Sequence, residues 1–303
     1  MRFKSIVLAI TYKCNSRCKF CNIWQMKTEK EIDMSYYERL PYFDSINLTG
    51  GEPFMRTDID DIIEIIKKKT KRIVISTNGL LTERILKTAK KYPQIGFRIS
   101  IDGLREKNDE MRGIPGGFKK CIDTIEGLKK LGIKDIGICS TFGYGNENQM
   151  EKLYQLAKKL DVEFLIIVRH DSFYYGKQND SYDTKKVIEK LKWLTRKYLN
   201  SFNIKNYFRA YYTEGSIDFV NKKKRPMKCD AGLTSFYLDP YGVIFPCVLL
   251  NKPLGNIKKD RIEDISKGIK CGLNCWMPCT VGQQIRSNPF KAILWILKKQ
   301  LRL

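Results

Sequence analysis

The chain has 303 residues, 43% hydrophobic and 29% charged, a composition that suits a folded globular protein with a sizeable core of its own. Its 56 basic and 33 acidic residues leave a net charge of +23, which fits a nucleic-acid, anionic-membrane or acidic-peptide partner as well as a plain lysine-rich composition. There is no run of about 20 apolar residues and no secretory signal with a cleavage site, so a spanning helix and a disulfide-stapled secreted fold are set aside; a reducing, cytoplasmic setting is expected for the ten cysteines.

Apolar, β-rich runs recur at residues 6–10, 45–48, 72–76, 96–101, 135–140 and 163–168. Helical patterns lie between or after them at 35–40, 59–69, 82–91, 118–131 and 149–160, with Asp58 and Thr82 as candidate caps. Six strands separated by helices predict an α/β fold with a parallel sheet and right-handed crossovers, an open or partial barrel rather than a flat doubly wound sheet. Residues 181–204 read as a longer helical stretch. After them the alternation stops, and 213–280 reads as turns, short strands and five cysteines. Each polar or glycine-rich cluster directly follows a strand: "TGGEP" at 49–53, "STNG" at 76–79, "SIDG" at 100–103, "STFGYGN" at 140–146 and "RHDS" at 169–172. In parallel barrels that edge builds the active site, so these five clusters and the three cysteines after the first strand, six in register, predict one mouth, although any one turn cluster alone is ordinary.

Cys14, Cys18 and Cys21 follow the first strand, four and three residues apart. Zinc sites take four Cys or His ligands; no fourth ligand is near in sequence, and the one histidine is His170. An odd number of thiols in a reducing compartment argues against a disulfide. An iron–sulfur cluster accepts thiolates, and three protein ligands on a four-iron cluster leave one iron open for a further ligand. Lys13, Arg17 and Lys19 are expected to favour the thiolates. Cys121 and Cys139 stand apart and read as small core residues.

The "CNSRCKFC" triplet, with "GGEP", "STNG", "SIDG" and "MRGIPGGF" (111–118) in order behind it, resembles the radical S-adenosylmethionine (SAM) superfamily over roughly residues 5–210. The resemblance implies a [4Fe–4S] cluster on Cys14, Cys18 and Cys21 whose open iron chelates SAM. It implies reductive cleavage of SAM to a 5′-deoxyadenosyl radical, hydrogen abstraction from substrate, and an electron donor such as flavodoxin or ferredoxin. Gly50, Gly51 and Glu52 are then the candidates for the methionyl amino group, and Asn78, Ser100 and Asp102 for ribose or carboxylate. Arg112 is a candidate to offset the SAM carboxylate, or a surface arginine. Tyr12 and Phe20 flank the triplet as cluster or adenine contacts, or as plain core.

The late cysteines are Cys229, Cys247, Cys271, Cys275 and Cys279. The first two bracket a "DPYG" hairpin, with twelve residues before Gly242 and four after it. Four cysteines suit zinc or an iron–sulfur cluster equally by spacing. The Cx12Gx4C pattern with "LGNI" downstream resembles the SPASM/twitch extension of radical SAM enzymes and implies an auxiliary [4Fe–4S] cluster. The chain departs from the two-cluster pattern and is closer to the shorter, one-cluster version. Cys229, Cys247 and Cys275 are the leading ligands, with Cys279 or Cys271 as the fourth.

The expected organisation is a partial (β/α)6 TIM-like barrel core at 1–210, a small cysteine-rich domain with a β-hairpin at 211–282, and an amphipathic helix at 283–303. In that helix Phe290, Ile293, Leu294, Leu297 and Leu301 share one face, and Lys291, Lys298, Lys299 and Arg302 cluster on another. It either docks on the protein's own core or lies at a membrane surface. The substrate class stays open among peptide or protein, small molecule and lipid-linked compound. The competing reading is a non-enzymatic, basic metal-binding protein that contacts nucleic acid or membrane, with "NKKKRPMK" (221–228) as its basic run. His170 is either an acid–base group at the mouth or a hydrogen-bonded loop residue.

Overall fold

The computed structural model describes residues 2–174, 182–225, 227–269, 271 and 273–301. Six strands, β1 (Phe3–Ala9), β2 (Phe43–Thr49), β3 (Ile73–Thr77), β4 (Gly96–Ser100), β5 (Ile136–Phe142) and β6 (Glu163–Val168), pair in parallel, each with its sequence neighbour. Helices α1 (Ile59–Ile66), α2 (Thr82–Lys91), α3 (Arg105–Arg112), α4 (Gly117–Lys130) and α5 (Gln149–Lys159) make the crossovers. The sheet does not close, so the core is the expected partial barrel. Ile6, Leu8, Ile46, Leu48, Ile75 and Phe97 are completely buried; such side chains stabilise the fold by about 1.5–3 kcal/mol each.

β1 and β2 are joined without an α-helix. The helical pattern expected at 35–40 is a 3-10 turn over Met34–Arg39, where the Asp33 carboxylate accepts from the Ser35 amide. The two candidate caps do not cap. The Asp58 carboxylate is taken by Arg56 at 2.6 and 2.8 Å. Thr82 is already inside α2, and its hydroxyl bonds that of Thr124 at 2.7 Å.

The stretch expected at 181–204 is α6 (Thr184–Leu199), capped by Asp183; Ser181 lies outside the described residues. The expectation that the alternation then gives way to turns is overturned by α7 (Ile204–Val220). This helix buries Ala210, Tyr211, Thr213, Gly215, Ser216, Ile217 and Val220. Apolar and small polar residues are buried together, so it carries no one-sided apolar stripe to reveal it. The boundary expected at 210/211 falls within α7.

The hairpin expected at the late cysteines is β7 (Ser235–Leu238) and β8 (Val243–Phe245), followed by β9 (Gly255–Asn256). β7 pairs in parallel with β1, so the hairpin extends the barrel sheet into nine strands, β6-β5-β4-β3-β2-β1-β7-β8-β9. A short helix, α8 (Ile262–Ile265), leads to the last cysteines, and α9 (Pro278–Ser287) and α10 (Phe290–Gln300) follow. α10 docks on α7, but through Ala292 and Trp295 rather than through its leucines. No helix among the described residues is long and apolar enough to cross a membrane.

Candidate active site

The loop that carries the first three cysteines is held by backbone pairing on two sides. On one side the Gly51 amide donates to the Thr11 carbonyl at 2.7 Å and the Glu52 amide to that of Lys13 at 2.9 Å. A Cβ on Gly50 would stand 2.2 Å from the Thr11 oxygen, and one on Gly51 2.4 Å from that of Lys13. Only glycine lets the two backbones approach so closely. On the other side the Arg17 and Lys19 amides donate to the Arg112 and Met111 carbonyls, each at 3.0 Å. Gly113 closes that contact at φ 65°.

Cys18 is buried, and Cys14 and Cys21 are half-buried. Burial pushes the Cys14 thiol up to about 12 and the Cys21 thiol to about 11, and raises Cys18 as well. The basic residues within the triplet do not reach the sulfurs. Lys19 pairs with Glu110 at 2.7 Å, and Arg17 donates to the Cys14 and Ser16 carbonyls. Arg112 approaches instead, with Nη1 3.7 Å from Cys18 Sγ. It is no surface residue. Its Nη2 lies 2.6 Å from the fully buried Asp102 carboxylate, and its Nε is buried without a hydrogen-bond partner among the described residues. Burial works against the Arg112 charge, but Asp102 and Cys18 hold it on.

The other strand-end residues converge here. The Asn78 side-chain amide donates to Asn15 Oδ1 at 2.7 Å and Ser16 Oγ at 3.1 Å, and stands 4.0 Å from Cys14 Sγ. Asp102 Oδ1 accepts from the Thr141 amide at 2.7 Å. Ser100 ends β4, half-buried. Glu52 is completely buried and accepts from Thr77 Oγ1, the Asn78 amide and the Phe54 amide. A carboxylate offers about four acceptor directions, so one is left. Burial pushes Glu52 up to about 7 against those three donors and the more distant Arg112, and among the described residues no lysine or arginine forms a salt bridge with it. A bound ammonium group would supply the missing counter-charge. Phe20 stacks on Tyr144 at 4.8 Å with Arg112 over its other neighbourhood at 5.4 Å. Tyr12 joins Tyr174 and Tyr237 through hydroxyl contacts of 3.0 and 2.9 Å. Tyr144 belongs to "GYGN", which in sequence reads equally as a pocket-shaping segment or a turn; it stands at the pocket.

The five late cysteines line one cavity, partly open to solvent, together with Val248, Leu249 and Met277. Burial pushes Cys247 up to about 11 and Cys279 to about 12, and raises Cys275. Among the described residues no three His, Cys, Asp or Glu side chains are grouped so as to hold a single metal ion. Thiols are donors that zinc and an iron–sulfur cluster both accept, and either metal would deprotonate them. Arg225, from the basic run, turns inward and sets Nη1 3.7 Å from Cys275 Sγ; Pro226 of that run lies outside the described residues.

Two wedges hold the late loop. The Trp276 indole lies where a Cβ on Gly215 of α7 would come within 2.1 Å, and its Nε1 donates to the Tyr212 carbonyl at 2.7 Å. The Trp276 amide donates to His170 Nε2 at 2.9 Å, while His170 Nδ1 bonds the Val168 carbonyl at 2.7 Å. Both ring nitrogens are engaged, and the ring stacks on Phe219 at 4.2 Å. Burial lowers His170 to about 4. His170 is therefore the hydrogen-bonded structural residue of the two readings. Cys121 is core, and Cys139 is half-buried on β5.

Residues 8–160, half of the chain, match the family model of the radical SAM superfamily. Among curated proteins, the chain is 31% identical over 165 residues to a Fe-coproporphyrin III synthase of Methanosarcina barkeri, covering 51% of this chain and 41% of that protein. It is 27% identical over 280 residues to the subtilosin biosynthesis protein AlbA of Bacillus subtilis, covering 84% of this chain and 58% of that one. The chain thus spans about half the length of these two relatives. The solved structure of Streptococcus suis SuiB bound to the precursor peptide SuiA superposes with a TM-score of 0.68 at 18% identity, over 88% of this chain and 65% of that one. That likeness establishes the shared fold.

Proposed function

The chain belongs to the radical SAM superfamily of enzymes, and from that premise we propose that it modifies a peptide, with an auxiliary [4Fe–4S] cluster in the late cysteine cavity. As a member, it uses SAM and a [4Fe–4S] cluster. When bound, that cluster supplies the electron that cleaves SAM, and SAM supplies the radical that takes a hydrogen atom from substrate. In this reading Cys14, Cys18 and Cys21 hold the cluster and Arg112 offsets its negative charge. Glu52 offers its remaining acceptor direction to the SAM ammonium group. Asn78, Ser100 and Asp102 serve the ribose or carboxylate, and the Phe20–Tyr144 stack closes the site against water. Cys229, Cys247 and Cys275, with Cys279 or Cys271, hold the auxiliary cluster, and Arg225 plays there the part of Arg112. All ten cysteines are free thiols, which supports a cytoplasmic setting with a flavodoxin- or ferredoxin-type donor.

The observation that carries this reading is the packing between the two thiol groups. Cys21, from the first, and Val248, Leu249 and Met277, from the wall of the second, pack in one cluster around Tyr12 and Tyr237. The two sites therefore adjoin one packed cluster, which supports their serving a single reaction. The peptide class is supported by AlbA, a bacteriocin biosynthesis protein matched over 84% of this chain, and by the SuiB–SuiA complex, matched over 88% of it. The non-enzymatic reading has no use for a converging strand-end site.

The test is deuterium transfer. Reconstituted, reduced protein is given SAM and the small-peptide fraction of cells grown on deuterated amino acids. Deuterium in 5′-deoxyadenosine, abolished when the fraction is first digested with protease, is the expected result. Transfer that survives digestion, or transfer from coproporphyrin instead, would assign another substrate class. Zinc in the late cavity in place of iron would refute the auxiliary cluster.

A further inference from the structure

Helix α10 has two apolar faces, and only one of them touches the protein. Ala292 is buried, the Trp295 ring packs on Tyr211 at 5.6 Å, Lys299 pairs with Glu214 at 3.5 Å, and Gln300 Nε2 donates to the Leu199 carbonyl at 3.0 Å. At about 100° per residue the residues of the leucine stripe fall on the opposite side. Phe290 is 65% exposed, Ile293 41%, Leu294 43%, Leu297 53% and Leu301 87%. Gln300 brings the end of this stripe to the α6–α7 turn, where Phe202 and Ile204 are the next exposed apolar side chains. Seven of the thirteen large hydrophobic residues exposed among the described residues therefore stand in these two segments. A patch of this kind marks an interaction surface.

We propose that this face lies in the headgroup region of an anionic lipid membrane. Charge selects that occupant. Lys291 and Lys298 fall along one edge of the stripe by helical periodicity, and the chain carries +23 overall. Two copies joined through their stripes would bring these lysines together on two strongly cationic molecules, which repel. Nucleic acid would meet the cationic edge but leave the five aliphatic side chains of the patch uncovered, with only Phe290 and Phe202 able to stack. An anionic bilayer covers the aliphatic residues and attracts the strongly cationic chain in one contact, with Lys298 at its edge. α10 is too short to span the bilayer, so it lies in the interface plane, docked on α7 by its other face. The surface does not depend on which substrate the enzyme modifies.

The test is flotation of the full, anaerobically prepared chain with phosphatidylcholine vesicles, with and without phosphatidylglycerol. The chain is expected to float with the anionic vesicles, less so as salt is raised, and not with phosphatidylcholine alone. Lys298→Gln is expected to weaken binding about fivefold. Leu294→Ser with Leu297→Ser is expected to abolish flotation while leaving SAM cleavage and the melting temperature unchanged, since both residues are exposed. Failure of the wild type to float with anionic vesicles overturns the proposal, as does flotation of the serine variant at the wild-type level. Sedimentation showing a wild-type dimer that the serine variant dissolves would overturn it in favour of a second copy.

Discussion

The two thiol groups share a pattern and differ in how it is built. In each, one arginine sets a nitrogen 3.7 Å from a cysteine sulfur, Arg112 at Cys18 and Arg225 at Cys275, and in each that arginine's Nε is buried without a hydrogen-bond partner among the described residues. The early loop is held by backbone pairing to two glycine-bearing segments and is ringed by Asn78, Asp102 and Glu52. The late loop is held by side-chain wedges, and its cavity wall is thiols and apolar groups. A site ringed with hydrogen-bonding groups is suited to orient a polar ligand at an open position. A site walled with thiols and apolar groups is suited to enclose what it binds. The difference teaches that cysteine count alone does not separate the two roles; the surroundings do.

Removing each group in turn breaks the comparison most directly. Cys14, Cys18 and Cys21 replaced together by Ala should lose about four irons and all SAM cleavage, read as 5′-deoxyadenosine. Cys229, Cys247, Cys275 and Cys279 replaced together should also lose about four irons, yet keep SAM cleavage and lose only substrate modification. Equal loss of cleavage in both variants would dissolve the distinction between an orienting and an enclosing site.

A smaller effect sharpens the same distinction through pH. Glu52 ordinarily titrates near 4.5 and stands at about 7 in the folded chain because it is buried. Below pH 4.5 it is protonated whether folded or unfolded, and its contribution to stability is fully present. As pH rises through about 7 the folded chain must bury a charge, and that contribution is lost, by about 3 kcal/mol at most. Denaturation of the SAM-free protein between pH 5 and 8 should show this fall. Glu52→Gln should flatten it, and added SAM should restore stability at the alkaline end. A wild-type curve already flat without SAM would mean that Glu52 carries no unmet charge.

Local chemistry was legible and long-range packing was not. The thiol triplet and the clusters after strands could be read because each is a short run whose residues act where they stand. The partial barrel followed from six β-rich runs and the helical patterns among them. The stripe on α10 was legible too, but not its direction, because the docking contacts of Ala292 and Trp295 depend on α7, which the sequence hid. Arg225 looked like a solvated member of a basic run, and nothing local told that it turns towards Cys275. Thr82 and Asp58 carried the right residue type for caps and were claimed instead by Thr124 and Arg56.

Gly215 and His170, which meet at Trp276, support the smallest prediction and the most selective one. Gly215 leaves room for the Trp276 indole, and His170 accepts from the Trp276 amide, so both act on the loop between Cys275 and Cys279 and on neither cluster directly. Gly215→Ala places a methyl group against the ring and should destabilise the chain by about 1–3 kcal/mol. His170→Ala leaves a buried amide unpaired and should remove about 1–3 kcal/mol; His170→Gln can keep an acceptor near the Nε2 position and should recover part of that. The readouts are the urea midpoint and the iron retained after reconstitution of each variant. If these wedges serve the late loop alone, the iron lost should come only from the late site, and SAM cleavage per remaining early cluster should stay at the wild-type rate. Iron lost from both sites in proportion would mean that the wedges hold the whole sheet, and that the late loop has no support of its own.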